Sequence, residues 1–443
     1  MKNFKPFGLS VPSILLPRED IALSSWAVVA CDQYTQDRDY WKKAEHAAGN
    51  EPSPLDLILP EVYLKDSDRQ ERINKIRGTM EEYLKTEVFR EPVEGFIYVE
   101  RKTAYNRVRK GLVVAVDLDA YQWEPFAKSL VRATEATIED RIPPRMEIRR
   151  GAALELPHIM LLINDPKKEF VEELGKRAKT QHPLYHGDLM LNSGSIEGYL
   201  VAGDDLDFCV SRLEVLTKDS VGEDGSPFLF AVGDGNHSLA TAKAVWKEYK
   251  SQQQAAGVPW ETIENSPLRY ALVEIVNLYD DGLTFEPIHR VLLHTEAEKL
   301  IQFCSEKLQG KGIFVADAET LEKKVKNSVS AIGFVYRDSK VKKEKYFLFD
   351  VACKGLCISY LQPVLDAYVA CCNGETEIDY IHGSEEVFRL GAEEGNIAIL
   401  MPPIAKDSFF STIAAKGPLP RKTFSMGEAS EKRFYLEARK LTE

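Results

Sequence analysis

Nowhere in this chain of 443 residues does an apolar run approach the ~18 residues that a membrane-spanning helix needs. Residues 1–17 carry Lys2 and Lys5, but Pro12 and Pro17 interrupt their apolar part, so the continuous core of a secretory signal is missing. These two absences predict a cytoplasmic protein with no membrane partner. Cysteine is scarce: seven residues, an odd number scattered along a long chain, exclude a disulfide framework and suit a reducing compartment. Cys353 and Cys357 followed by the adjacent Cys371 and Cys372 do not make the paired spacing of a zinc site, so no metal centre is expected and buried, small apolar roles are. Positive charge is in deficit, 57 Lys and Arg against 69 Asp and Glu, net -12. That balance, without a basic stripe or a helix-turn-helix pattern, argues against nucleic acid as a partner. Two nucleotide signatures are also missing. A Gly-x-Gly-x-x-Gly fingerprint would need glycine where Ser238 stands, and no Gly-Lys-Ser/Thr loop occurs.

What is present is an ordinary folded composition, 44% hydrophobic and 28% charged, at a length that calls for two or three domains. Strand-like and helix-like segments alternate irregularly, which predicts an α+β fold. Ile73, Ile76, Met80, Tyr83 and Leu84 recur at helical spacing within 69–89. Residues 95–103 and 109–121 read as a strand pair turning near Asn106, and 158–166 and 268–280 as buried strands. Residues 24–35 read as a short strand and a polar turn, 205–217 as helix or strand, and 222–227 as a turn. Past Thr295 the rhythm changes. The expected division is residues 1–295 for a ligand-binding region and 296–443 for a further α+β portion.

The segment that draws attention is FLFAVGDGNHSLATAKAVW, residues 228–246. A buried strand ends at Gly233-Asp234-Gly235-Asn236-His237-Ser238, and Leu239, Ala242, Trp246 and Tyr249 then follow at helical spacing. Asn236 or Ser238 is a good helix N-cap. Gly233 and Gly235 permit a tight bend and close approach of a ligand. A helix start presents free N–H groups and partial positive charge, the two features that bind phosphate. His237 adds a donor, and Asp234 can position a hydroxyl or a metal-bound group. The same residues also suit a plain turn with an ordinary cap.

VGDGNHSLATA resembles the Asp-Gly-x-His motif of the ParB/sulfiredoxin-like superfamily. Together with RATEATIEDRIPPR (132–145), PHIMLLINDP (157–166) and YIHGSEEVFRLG (380–391), it makes the whole chain similar to the family called domain of unknown function 1015. The resemblance implies a ParB/sulfiredoxin-like core that holds nucleotide phosphate at Gly233, Gly235, Asn236 and Ser238. Relatives in that superfamily include a free-serine kinase, a CTP-binding partitioning protein and sulfinic-acid reductases. The reductase nucleophile is Cys where this chain has Asn236, so that chemistry is missing. Other members carry Arg where Ser238 stands, which shifts the phosphate grip to another cation, with Arg132 and Arg141 as candidates. The kinase resemblance implies a catalytic carboxylate, assigned to Glu135 as the general base, with Asp234 and His237 beside it. Thr134–Thr137 and Asp140-Arg141 match the family's Thr-Glu-x-Thr and Asp-Arg elements; the cluster also reads as a solvated, salt-bridged surface.

The expected activity is transfer of a phosphoryl group from ADP or ATP, with or without Mg2+, to a small hydroxylated metabolite such as an amino acid. The competing expectation is a nucleotide-binding regulatory module without turnover. Weaker features are His182 and His186, read as loop residues because Pro183 separates them, the acidic run 203–207, Arg421-Lys422-Thr423, and Cys31-Asp32 after a strand.

Overall fold

In the computed structural model, residues 3–222, 225–372 and 374–442 are described; Glu223 and Asp224, in the turn expected over 222–227, lie outside them. The apolar alternation of the strand segments builds a ten-stranded mixed sheet in the first of two compact units, residues 1–283 with 427–443. Its strands are β1 (Leu9–Ser10), β2 (Phe96–Thr103), β3 (Val108–Asp117), β4 (Tyr121–Gln122), β5 (Val131–Ala133), β6 (Met160–Ile163), β7 (Tyr185–Asp188), β8 (Gly194–Val201), β9 (Phe230–Asp234) and β10 (Tyr270–Asn277). They lie in the order β7-β8-β2-β3-β10-β6-β9-β5-β4, with β1 on β3. The hairpin β2–β3 turns through Asn106 at φ 59°, a left-handed value that asparagine tolerates.

Successive side chains point to opposite faces, and this parity sorts the core. Ile97, Val99, Val113 and Leu272 face one way, onto α1 (Arg69–Lys85) and the segment around Phe434. Tyr98, Leu112, Val114, Val273 and Ile275 face the other way, onto α3 (Val171–Ala178), α4 (Asp204–Asp219) and α5 (Asn236–Ala255). The buried α1 residues are Ile73, Ile76, Met80 and Tyr83, as the spacing predicts. The ambiguous 205–217 segment is helical, with Cys209, Leu213 and Leu216 inward. The segment 24–35 begins with a helical turn, Leu23–Trp26, before the two-residue strand Val28–Val29. All seven cysteines are free thiols. The short helix α2 (Ile142–Arg149) packs on α5.

The second unit is residues 284–426. It holds a six-stranded sheet of β11 (His289–Leu293), β12 (Gly310–Val315), β13 (Ala331–Arg337), β14 (Glu344–Val351), β15 (Glu377–Ile381) and β16 (Ile397–Leu400), in the order β12-β14-β13-β16-β11-β15 and antiparallel throughout. The division therefore differs from the expected break at Thr295. It comes before β11, and residues 427–443 rejoin the first unit. The reason lies in the charges of that last segment, which apolar periodicity does not report.

Arg433 is buried and donates to Glu274 (2.7 Å) and to Glu437 (2.5 Å). Arg109 lies 3.5 Å from the other oxygen of Glu274, and Tyr185 donates to Glu437. Burial alone would raise the Glu274 carboxyl; Arg109, Arg433 and Arg101 override it and hold the group below its ordinary range. Burial and the charge of Arg109 pull Arg101 down to about 9, and its guanidinium donates to the carbonyls of Ser193, Ser430 and Lys432. Gly111 makes room for this cluster: a Cβ there would sit 2.2 Å from Oε1 of Glu274. Arg439 to Glu155 and Arg107 to Glu431 continue the ion pairing along the segment.

Removing one partner of such a buried set leaves the others uncompensated. Arg433→Ala is expected to lower unfolding stability by ~3–5 kcal/mol in denaturant titration, well beyond a surface Arg→Ala. Asp280 gives a pH test. Burial pushes its carboxyl up to about 6, with Lys110 at 3.9 Å opposing and Glu172 adding to the rise. A raised carboxyl stabilises the fold while protonated, fully below its unfolded value, and that contribution is lost as pH rises through about 6. The thermal stability of Asp280→Asn relative to the parent should therefore climb between about pH 4 and about pH 7.5; a flat difference would refute the assignment.

Candidate functional site

Strand directions bring the relevant segments together. β9 is parallel to β5, so their carboxyl ends, Asp234 and Ala133, lie at the same end of the sheet. β6 runs antiparallel to β9, with Met160 opposite Asp234, which places His158 at that end too. Residues 434–435 pair antiparallel with Val28–Val29, and the Ala30 amide donates to the Arg433 carbonyl. Lys432 and Cys31-Asp32 arrive side by side as a result. Crevices beyond the carboxyl ends of parallel strands are where α/β sheets commonly take ligands.

The bend itself is set by Gly235. It occupies the N-cap of α5 at φ +77°, where a Cβ would come within 3.1 Å of the Ile159 Cα and 3.5 Å of His158 Cδ2. The cap is Gly235, rather than Asn236 or Ser238, and as a glycine it has no side chain to cap the first turn. The leading N–H groups of a helix have no partner within the helix. Asn236 is used differently from the expectation. Its Oδ1 accepts from the Thr134 amide (3.2 Å), and its Nδ2 donates to Thr134 Oγ1 (3.3 Å) and to the Val232 carbonyl (3.4 Å). His237 Nε2 accepts from the Ile138 amide (3.3 Å). The two residues strap 134–138 to the bend, so the two sequence motifs are neighbours in space.

The other expected residues fall as follows. Gly233 lies within β9. Asp234 Oδ2 is 3.3 Å from Lys432 Nζ, while its Oδ1 accepts from the Gly235 amide (3.0 Å). Ser238 is half-buried in the first turn of α5. Glu135 is half-buried on the strapped segment, between Thr134 and Ile138. Arg141 is exposed at the start of α2, and among the described residues its guanidinium has no ion-pair partner. Arg132 goes elsewhere. It pairs with Ala231, toward the start of β9, and its guanidinium donates to Ser129, Ser226 and Pro227 and covers the Phe228 ring at 4.6 Å. That placement is structural: on a strand flanked by Val131 and Ala133, its side chain reaches back along the 226–228 loop.

Three residues that the sequence reading did not place here complete the surroundings. Lys432 neutralises Asp234. His158 Nδ1 is 2.9 Å from the Tyr435 hydroxyl, and its Nε2 is 3.9 Å from Asp32 Oδ2. The Tyr435 oxygen accepts from the Cys31 amide (3.1 Å). Burial, with the charge of Asp32, pushes the Cys31 thiol up to about 12, so it is neutral and a poor nucleophile. Arg145 is tied to Glu61, whose amide donates to the Cys31 carbonyl. Among the described residues no group of three or more His, Cys, Asp or Glu is placed to hold a metal ion, and no helix is long and apolar enough to cross a membrane.

One mixed sheet with helices on both faces, a glycine bend at a strand end and the helix that starts there define an α+β unit. Residues 13–367 match the family described as "Protein of unknown function (DUF1015)", and the chain belongs to that family. No curated protein matches it. Among solved structures, a conserved hypothetical protein from Pyrococcus furiosus aligns at 12% identity, covering 74% of this chain and 95% of that one, TM-score 0.35. A free serine kinase in complex with AMP aligns at 13% identity over 74% of this chain and 92% of that one, TM-score 0.38, and the same kinase in complex with ADP at the same values. SbnI from Staphylococcus aureus aligns at 10% identity over 73% and 85%, TM-score 0.33. At these scores the likenesses carry no activity across to this chain.

Asn236→Ala tests the strap. It leaves the Thr134 amide without its acceptor, and native-state hydrogen exchange at Thr134 should accelerate ~10-fold or more, the equivalent of ~1.4 kcal/mol. An unchanged rate would show that the strap does not hold the segment.

Proposed function

We propose that the first unit is a ParB/sulfiredoxin-like core and that the protein is a nucleotide-dependent phosphotransferase acting on a small hydroxylated metabolite such as an amino acid. The observation that supports this reading is the convergence on the Gly235 bend of a glycine-capped helix start, the Asp234–Lys432 pair and the strapped 134–138 segment. The bend brings main-chain donors close to a ligand without a side chain in the way, which suits the phosphates of ADP or ATP. A bare carboxylate at that position would repel them; Lys432 cancels the charge of Asp234. Arg141, exposed at the start of α2 and without an ion-pair partner among the described residues, is the cation assigned to the phosphates in this reading, whereas Arg132 is committed to the 226–228 loop. If Mg2+ accompanies the nucleotide, Asp234 would have to exchange its Lys432 partner for the ion, which would neutralise phosphate charge there.

In the transfer, the acceptor oxygen forms a bond to the terminal phosphorus as the bond to the departing nucleotide oxygen breaks. The nucleotide leaves with the electron pair, and a carboxylate takes the hydroxyl proton. Two carboxylates stand on segments that border the bend: Glu135 on the strapped loop, and Asp32 beside His158. His237 holds the Ile138 amide and thereby the position of Glu135.

Nucleotide binding is checked by thermal shift. ADP or ATP at 100 times its Kd should stabilise the protein by ~2.7 kcal/mol, a rise of a few degrees, with and without Mg2+. Asp234→Ala, which releases Lys432 and removes the carboxylate, should abolish the shift. No shift with any nucleotide at millimolar concentration rejects the proposal. Binding without phosphoryl transfer to any hydroxylated amino acid would favour a regulatory module instead.

A further inference from the structure

The hydrogen-bond chain behind the bend determines what His158 offers to a ligand. Tyr435 is buried, and its oxygen already accepts from the Cys31 amide at 3.1 Å. Its one proton needs an acceptor, and His158 Nδ1 lies 2.9 Å away. The reverse arrangement, with Nδ1–H donating to the tyrosine, would leave the phenol proton, among the described residues, only the Cys31 thiol, a weak acceptor. The chain Cys31 N–H to Tyr435 O–H to His158 Nδ1 therefore places the imidazole proton on Nε2.

Nε2 faces Asp32 Oδ2 across 3.9 Å, too far for a direct hydrogen bond. The other oxygen of Asp32 is engaged with Gln33 Nε2 at 3.0 Å. Both facing side chains keep some access to solvent, 11% for His158 and 26% for Asp32. An oxygen lying about 2.8 Å from both atoms fits the gap, provided it accepts on one side and donates on the other. A hydroxyl does both. An ammonium has no lone pair for Nε2–H, and a carboxylate has no proton for Asp32. The ring that bounds this gap is the one whose Cδ2 lies 3.5 Å from the Cβ position of Gly235, so the gap opens beside the bend.

We propose that the space between Asp32 and His158 seats the reacting hydroxyl of the acceptor, and that Asp32 is the group that receives its proton. The oxygen accepts from His158 Nε2–H. As it attacks the terminal phosphorus, its proton passes to Asp32 Oδ2, the new O–P bond forms, and the departing nucleotide keeps the electrons of the broken P–O bond. Asp32 ends as a neutral acid and returns its proton to solvent after release. The transfer step rests on the phosphotransferase reading; the hydroxyl seat rests on geometry alone. The acceptor class follows: alcohols, with the corresponding deoxy or amino compounds excluded.

Three measurements on the full chain decide it. A high-resolution crystal structure with glycerol as the hydroxyl probe should show an oxygen, from glycerol or water, bonded to both Asp32 Oδ2 and His158 Nε2. Direct contact between the two side chains would overturn the seat. Nitrogen-15 NMR of the labelled histidines should show His158 as the Nε2–H tautomer at neutral pH; an Nδ1–H tautomer would overturn it as well. With any alcohol that the parent phosphorylates, Asp32→Asn should lower kcat at least ~100-fold while leaving the thermal shift by ADP in place, and Glu135→Gln should lower it less. The opposite ranking would return the proton to Glu135 and overturn the role of Asp32. If no alcohol is phosphorylated, the phosphotransferase reading fails with the proton role, and the first two measurements still decide the seat.

Discussion

Arg433 lies between Glu274 of the central sheet and Glu437 of its own segment, all three out of reach of water. Taking such groups out of water costs more than a single pair returns, so the set is stable only when every member is present. Glu274 shares the parity of Leu272 and thus faces the side of the sheet on which Phe434 and Tyr435 pack. Gly111 on the neighbouring strand leaves the space that the carboxylate fills. A slip of the last segment by one residue would turn Arg433 away from Glu274 and bury both unpaired. The charge cluster therefore fixes register where a two-residue strand could not, and that register sets where Lys432 and Tyr435 stand.

From this anchor the chemistry of the bend follows by adjacency. Lys432 precedes Arg433 and meets Asp234; Tyr435 follows it and meets His158. The sheet supplies the other half. The parallel pair β5 and β9 ends at one edge, the antiparallel β6 begins there, and three loops are forced to share one place. Asn236 and His237 then spend their side chains on the loop after β5. The helix start is left with a glycine cap that has no side chain to offer its leading N–H groups.

Much of this was legible in the residues. The strand–bend–helix unit at 228–246 reads correctly because apolar period switches from strand to helix across Gly-Asp-Gly, and the structure has β9, Gly235 and α5 there. The α+β class and the hairpin at Asn106 read equally well. The N-cap did not: Asn236 suits a cap by type, but Thr134 offers it a partner from 102 positions away in sequence. Arg132 was misplaced for a similar reason. Its neighbours suggest a polar cluster, whereas the strand alternation turns its side chain toward Ser226 and Phe228. Lys432 and Tyr435 were passed over because KRFYLEARK has no distinctive motif. A charge alternation in an apolar setting was the available signal, and it gains meaning only when Glu274, 159 positions earlier, is seen beneath it.

One consequence concerns the order of synthesis. Residues 284–426 emerge from the ribosome after the sheet and before the segment that closes it. During that interval Glu274 has Arg109 but lacks Arg433, and the bend lacks Lys432 and Tyr435. The charge set of the first unit stays incomplete while the second unit is translated. The first unit therefore cannot complete its buried charge set until synthesis has passed through the whole of the second.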